Sequence, residues 1–300
     1  MLLMKSIGSK KIKDFRMKKK ALLIGINYYD ISGITLNGCI NDIINIRTML
    51  TSVYGYDTNN IMMLSDNSID TLPTKENIIN AMCSLVSESS GLEEIWIHYS
   101  GHGSKTPGHN RGETDEVLVP LDFETNGYII DNDLLEIIND TKCRTIIITD
   151  CCHSEAMFEL PWSFEYIKNT DSIVKTHRTN ENIQVHIFMY SGCKDKQTAS
   201  DIYNRETGEF SGAFTSAFIR CLIQRQYTCS FLDLYKDVFL YLQQHGYSQI
   251  PIFSSSLENP DGGFLLRTMN KPVINNTRNI IRQNMLSIIN NKYVFKKGHL

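Results

Sequence analysis

Two short segments of the chain place a histidine and a cysteine among small residues. Tyr99-Ser100-Gly101-His102-Gly103 follows an apolar run typical of a buried strand, and Asp150-Cys151-Cys152-His153-Ser154 follows a second such run. In an open parallel sheet the carboxyl ends of the strands share one edge, and sites form there. We therefore expect His102 and Cys152 to meet at that edge, as a cysteine nucleophile and its proton acceptor must.

The choice of nucleophile rests on the alternation of side chains along a strand. Cys151 should point away from the face that carries Asp150 and Cys152. A lone cysteine or histidine in a sheet is usually part of the core, but their joint position after two strands favours catalysis. Structural zinc is the competing use of these residues, and it is disfavoured because the chain contains no Cys-x-x-Cys pair.

The elements that must position these segments alternate between strand and helix. Continuous apolar runs predict buried strands, and apolar residues at helical spacing predict helices. The predicted strands are 20–27, 61–64, 94–99, 145–149 and 185–191, and the predicted helices are 36–53, 74–85, 131–138, 212–222 and 231–243. This order predicts a single-domain α/β fold, with a mostly parallel sheet and helices on both faces.

Three further segments lie between these elements. Residues 103–115 are predicted to form a glycine-rich, charged loop, and residues 155–183 the longest irregular region of the chain. Residues 249–253 are predicted to form an edge strand, because Pro251 cannot donate a hydrogen bond to a central ladder.

The net charge of −3 conceals a strong asymmetry along the chain. Residues 1–20 and 267–300 each carry +7, which leaves −17 on residues 21–266. The strong negative charge of residues 21–266 favours cationic ligands such as basic peptides or divalent metal. We expect no nucleic-acid partner.

The distribution of apolar residues indicates the cellular location of the protein. No stretch reaches the roughly 18 apolar residues of a membrane span, and the first residues are too short an apolar run for a secretory signal. Cys143 and Cys193 lie in apolar runs, which indicates reduced thiols in an intracellular, cytoplasmic setting.

Six segments, taken in order, resemble the metacaspases, which are caspase-related cysteine peptidases. The segments are Ala21–Tyr28, Leu36–Asp42, the two segments around His102 and Cys152, Ser191–Asp201, and Gly212–Thr215. The resemblance covers residues 20–266 and implies a caspase-like fold with a His102–Cys152 dyad. It also implies a monomer with no organic cofactor, self-processing, and a part in programmed cell death. The basic extension 1–19 and the basic tail 267–300 lie outside it, and the tail has no assigned role.

The resemblance also implies a pocket for a basic side chain. Its lining would be Cys39, Asp42, Ser100 and Asp150. A guanidinium group can bind a carboxylate through two parallel hydrogen bonds, so two carboxylates suit such a pocket. The implied activity is cleavage after Arg or Lys in peptide and protein substrates.

Calcium activation is the third implication of the resemblance. The matching positions are Asp115, Asp131, Asn132 and Glu159. Calcium takes oxygen ligands from carboxylates and neutral amides alike. Asn132 stands where the family usually has an acidic residue, Glu159 where it usually has Asp, and Glu155 where it usually has Gly.

The segment 155–183 is also a candidate for self-cleavage. It offers Lys168, Lys175 and Arg178 to a protease that prefers basic residues, and exposed loops are where proteolytic nicking concentrates. Two other functions stay open at this point. One is a catalytically silent caspase-like scaffold that binds basic peptides or partner proteins, and the other is a different hydrolase or transferase on a similar sheet.

Overall fold

The computed structural model of the protein describes residues 18–67, 70–107, 114–151, 159–179, 183, 185–192, 201–204 and 209–260. Its centre is an eight-stranded sheet. In spatial order the strands are β2 (Ile61–Ser65), β1 (Lys19–Gly25), β3 (Glu94–Ser100), β7 (Arg144–Asp150), β10 (Ile187–Ser191), β13 (Ile252–Ser255), β8 (Trp162–Ile167) and β9 (Ser172–His177). The first five run parallel, and the last three pair antiparallel. The predicted mostly parallel sheet is confirmed.

Helices cover both faces of this sheet. They are α1 (Cys39–Ser52), α2 (Lys75–Ser87), the short α3 (Phe123–Asn126), α4 (Asp131–Asn139), α5 (Ala213–Gln224) and α6 (Phe231–Gln244). Buried side chains of α1, α5 and α6 form one core with the sheet, and those of α2 and α4 form a second core on the opposite face. Within the described ranges, no helix is both long and apolar enough to cross a membrane.

Two small sheets flank the main one. Strands β4 (Gly103–Pro107), β5 (Thr114–Leu118) and β6 (Ile129–Ile130) form an antiparallel sheet directly after β3, and β11 (Asp201–Asn204) pairs with β12 (Glu209–Gly212). The prediction of a loop at 103–115 was therefore wrong for 103–107 and 114–115. These polar residues lack an apolar pattern, yet backbone hydrogen bonds to β5 suffice to make them a strand.

Two other predictions were wrong. The segment 155–183 is not irregular throughout, because residues 162–177 form the β8–β9 hairpin. Trp162, Phe164 and Tyr166 alternate with polar residues, which is a strand signal. The last strand, β13, is not an edge strand, since it lies between β10 and β8. Pro251 immediately precedes it and so takes no place in the ladder.

A row of charged residues crosses the sheet at its amino edge, opposite the ends that carry the site. Lys19, Glu94 and Arg144 are paired across β1, β3 and β7. The Tyr56 hydroxyl donates to Glu94 at 2.6 Å. Burial raises the pKa of Glu94 to about 7 and lowers the pKa of Lys19. Buried ion pairs of this kind are weak evidence of stability, and these perturbed groups belong to the far edge of the fold.

Candidate active site

The register of β3 against β7 brings the two predicted segments together. Ser100 is paired with Asp150 at the carboxyl ends of these adjacent parallel strands. The amide of Gly101 donates to the carbonyl of Asp150 at 3.4 Å, which continues the pairing past the strands. His102 and Cys152 thus follow paired residues at the same offset. Cys152 itself lies outside the described residues, as does Glu155.

His102 is held by its ring and by its backbone. Its Nε2 lies 2.7 Å from the carbonyl oxygen of Ile34. A carbonyl can only accept, so Nε2 carries a proton, and in neutral imidazole Nδ1 is then the proton acceptor. The His102 amide donates to the Tyr28 hydroxyl at 3.0 Å, and the two rings are 4.8 Å apart. The histidine is therefore oriented to accept a proton through one defined nitrogen.

Cys151 directly follows the last residue of β7. Cys151 is fully buried in the core formed with α2 and α4. Asp150, one residue earlier, contacts Thr215 of α5 on the other face. This is the alternation expected of a strand, and it leaves Cys151 packed in the core.

Asp42 lies in the first turn of α1 and is completely buried. Its Oδ2 accepts from the Ser100 hydroxyl at 2.7 Å, and its two oxygens lie 3.0 and 3.1 Å from the Gly212 amide. A first-turn carboxylate is common as a helix-stabilising charge. Here, however, the donors come from β3 and from the start of α5, so the group is fixed at the edge of the sheet.

Asp150 is held by the first turn of α5. Its Oδ2 accepts from the Thr215 amide at 2.9 Å and from the Thr215 hydroxyl at 2.8 Å. A Cβ added to Gly212 would lie 2.1 Å from the Asp150 Oδ2 and 2.8 Å from the Asp42 Oδ2. Both carboxylates therefore converge on this glycine, and no other residue fits there.

The structure thus gathers the four predicted pocket residues. Cys39, Asp42, Ser100 and Asp150 are all buried at the carboxyl edge. Two carboxylates this close repel each other, and a bound cation would relieve the repulsion. The arrangement fits a ligand with a guanidinium or ammonium group.

The structure brings the predicted calcium ligands only partly together. Asp131 begins α4 and Asp115 lies in β5, while Asn132 and Glu159 are exposed. Burial raises the pKa of Asp131, and the nearby charges of Asp115 and Glu159 raise it further. The oxygen donors suit calcium. Nevertheless, no three His, Cys, Asp or Glu side chains in the described ranges are placed closely enough to hold a metal ion.

His98 lies four residues before His102, a spacing that on a helix would place both on one face. In strand β3 it is instead fully buried, and burial lowers its pKa to about 3. Its packing in the core separates it from the half-buried His102, so this histidine pair is not a metal site.

Several residues that shape the site were not predicted in these roles. Ile34 acts through its backbone carbonyl, which no sequence pattern marks. Gly212 and Thr215 belong to a segment of the family resemblance, but their contacts with Asp42 and Asp150 come from the fold. Tyr28 and Tyr99 belong to segments of the family resemblance, but the sequence assigned neither of them a role.

Comparison with known proteins agrees with this geometry. A family model described as a metacaspase, peptidase C14 domain, matches residues 19–161. Metacaspase-1 of Scheffersomyces stipitis is 32% identical, with 80% of this chain and 71% of that protein covered. Metacaspase-5 of Trypanosoma brucei brucei is also 32% identical, with 79% of this chain and 50% of that protein covered. Against the Trypanosoma relative, this chain thus spans half of the length.

Solved structures support the fold. A protein of Geobacter sulfurreducens matches with a TM-score of 0.59 at 20% identity, covering 84% of this chain and 97% of its own. Caspase-1 of Spodoptera frugiperda matches with a TM-score of 0.52 at 11% identity, covering 81% and 88% respectively. At these identities the likeness shows a caspase-like fold alone. Together with the sequence relatives, it establishes that this chain belongs to the metacaspase family of cysteine-type peptidases.

Proposed function

We propose that this protein is a cysteine endopeptidase that cleaves after Arg or Lys, with His102 and Cys152 as its catalytic pair. The pairing of Ser100 with Asp150 carries the proposal. Residues 102 and 152 each follow their paired strand end by two positions in the sequence, which supports their meeting at the same edge of the sheet. The two buried carboxylates at the same edge supply the specificity.

The reaction follows from these positions. His102 accepts the Cys152 thiol proton at Nδ1, and the sulfur attacks the carbonyl carbon of the scissile bond. The imidazolium then donates that proton to the leaving amine as the peptide bond breaks. Water, deprotonated by the same histidine, hydrolyses the acyl-enzyme and releases the thiol. The Ile34 carbonyl keeps Nε2 protonated and the ring in place throughout.

Hydrolysis of short fluorogenic peptides ending in Arg, Lys or Asp tests this function. We expect cleavage of the Arg and Lys peptides only. A scaffold would bind an Arg peptide, detectable by fluorescence anisotropy, without cleaving it. A hydrolase of another class would cleave none of the three and would show no preference in binding.

We propose that calcium activates the enzyme through Asp115, Asp131, Asn132 and Glu159. The mutual repulsion of Asp115, Asp131 and Glu159 supports cation binding. The spacing of the four residues means that the ion would have to draw the side chains together. Glu159 follows the nucleophile segment, so calcium would tie this part of the chain to α4. Such a switch would act by ordering a segment of the chain when the ion binds.

Roughly millimolar calcium is therefore expected to raise kcat/KM, and a chelator is expected to abolish the increase. Asp131→Ala should remove the response. Asp133→Ala, which alters an exposed carboxylate in the same helical turn, should keep it. Peptide hydrolysis titrated with calcium measures both. Equal calcium responses in the parent and Asp131→Ala would contradict the proposal.

We propose that self-cleavage, suggested for residues 155–183, favours Lys168. This residue lies in the turn between β8 and β9. Lys175, in contrast, is in β9, with its Nζ 2.7 Å from Glu258 and 5.8 Å from the Trp162 ring centroid. The backbone of Lys175 must first be released from strand pairing before a protease can bind it, whereas Lys168 lies outside the paired residues.

On incubation with calcium, we expect fragments ending at Lys168 to appear before any ending at Lys175 or Arg178. Mass spectrometry of a time course identifies them, and Cys152→Ala is the control that should stay intact. First cleavage at Lys175 would show that the hairpin opens before it is cut. An uncut chain that hydrolyses peptides would show that processing is not required.

We infer a monomer from the outer strand of the sheet. Strand β9 is exposed along most of its length and carries Lys175 and His177. Charged residues on an edge strand discourage pairing with a second copy. Sedimentation of the purified protein measures the state directly.

We also infer a reducing, intracellular setting. None of the cysteines in the described ranges takes part in a disulfide. Disulfides persist mainly in oxidising compartments. Localisation of a tagged chain tests this inference.

A further inference from the structure

Tyr28 has a backbone conformation that is rare for a large side chain. It follows β1 with φ 54°, in the left-handed region, and is completely buried. A bulky residue in this region is strained, and such strain persists only where the surrounding structure enforces it. The position therefore needs an explanation beyond core packing.

The Tyr28 side chain makes three contacts at the site. It accepts from the His102 amide at 3.0 Å and donates to the Val119 carbonyl at 2.6 Å. The Tyr28 ring also contacts the His102 imidazole, with 4.8 Å between centroids and 39° between planes. One side chain thus holds both the backbone and the ring of the histidine.

The backbone of Tyr28 starts the turn that delivers Ile34. Its carbonyl accepts from the Ile31 amide at 3.0 Å and from the Thr35 hydroxyl at 3.4 Å. The turn brings the Ile34 carbonyl to within 2.7 Å of His102 Nε2. The strained residue therefore places the partner of Nε2 as well as the histidine itself.

Tyr99 also contacts the His102 backbone. Its hydroxyl donates to the His102 carbonyl at 2.8 Å and lies 3.3 Å from the Tyr28 hydroxyl. A Cβ on Gly101 would lie 2.8 Å from the Tyr99 hydroxyl, so only glycine allows this approach. Burial raises the pKa of both tyrosines, which keeps both phenols protonated as donors.

We propose that Tyr28 is a positioning residue for His102, acting through its hydroxyl on the histidine backbone and through its left-handed turn on the Ile34 carbonyl. Tyr99 supports it through the His102 carbonyl. The proposal rests on the proposed peptidase function, in which His102 accepts the proton of Cys152. It assigns to Tyr28 the angle at which the imidazole meets the thiol.

Tyr28→Phe is the sharpest test, because it keeps the ring and removes only the hydroxyl. We expect kcat to fall about 10- to 100-fold, since small misplacements of a catalytic group have effects of this size. KM for an Arg peptide should stay within about twofold, because Asp42 and Asp150 are untouched. Tyr99→Phe should lower kcat in the same direction, and it replaces Tyr28→Phe if that variant fails to fold.

Tyr190→Phe is the matched control. The Tyr190 hydroxyl donates a buried hydrogen bond to the Phe231 carbonyl at 2.9 Å. Tyr190→Phe removes that bond too, but Tyr190 lies in the core formed with α6. We expect it to lower the melting temperature while leaving kcat unchanged. If Tyr28→Phe lowers the melting temperature similarly and leaves kcat within twofold, Tyr28 is only a packing residue and the proposal is overturned.

A second readout does not depend on peptide hydrolysis. Alkylation of Cys152 by iodoacetamide, followed by mass spectrometry, reports the thiolate that His102 helps to form. Its rate should fall in Tyr28→Phe and stay unchanged in Tyr190→Phe. A Tyr28-dependent rate in a protein that cleaves no peptide would refute the proposed function and leave the positioning role standing. An unchanged rate in Tyr28→Phe would refute the positioning role.

Discussion

Cys152→Ala is expected to abolish peptide hydrolysis, whereas Cys151→Ala keeps most of it. Removing the nucleophile of a catalytic pair costs on the order of 10⁴-fold or more in kcat. The two residues are neighbours, but Cys151 is fully buried in the core with α2 and α4. Alternation along the strand predicts that residue 152 turns to the side of Asp150. Because the two replacements are chemically identical, they compare position alone.

Cys151→Ala should instead affect stability. It leaves a small void in a packed core, for which a loss of about 1 kcal/mol in the free energy of unfolding is typical. Thermal melting and initial rates, measured on both variants and the parent, separate the two effects. Loss of activity in Cys151→Ala with retention in Cys152→Ala would reverse the assignment of the nucleophile.

Asp150→Asn is expected to lower kcat/KM for Arg peptides at least tenfold. Removing one partner of a buried charge pair costs on the order of 2–5 kcal/mol. The carboxylate is locked by the amide and hydroxyl of Thr215, so it cannot move away to solvent. For the same reason the parent should reject Asp at the cleaved position, since two fixed carboxylates would repel it.

The control for this prediction is Asp237→Asn. Asp237 pairs with Arg225 between α5 and α6, where its carboxylate accepts two hydrogen bonds from the guanidinium. The Asp237→Asn variant removes the same charge at the surface, so we expect kcat/KM for Arg peptides to stay unchanged. Efficient cleavage after Asp by the parent, or an Asp150→Asn variant with the parent's kcat/KM, would show that these carboxylates do not select the substrate.

The parallel part of the fold could be predicted because its signal is local. Strands such as 145–149 are buried on both faces and read as continuous apolar runs. The helices, buried on one side, show helical spacing. The ends of those strands locate His102 and Asp150 without knowledge of strand order, since all parallel strands in a sheet end at one edge.

The antiparallel part could not be placed in the same way. The hairpin β8–β9 carries an alternating pattern in β8, but β9 is mostly exposed and polar. The position of β13 between β10 and β8 depends on pairing between strands far apart in the chain. Proline at 251 restricts only its own residue, so it could not identify the neighbours of the strand.

The same distinction between sequence and tertiary structure applies to the residues of the site. By itself the sequence determined which residue types stand at the strand ends: a histidine, a cysteine pair and the carboxylate of Asp150. The tertiary structure alone decided their surroundings. Thr215 meets Asp150 across 65 residues, and Tyr28 meets His102 across 74. Contacts over such distances arise only when the whole sheet has assembled, and the strain at Tyr28 exists only because that assembly enforces it.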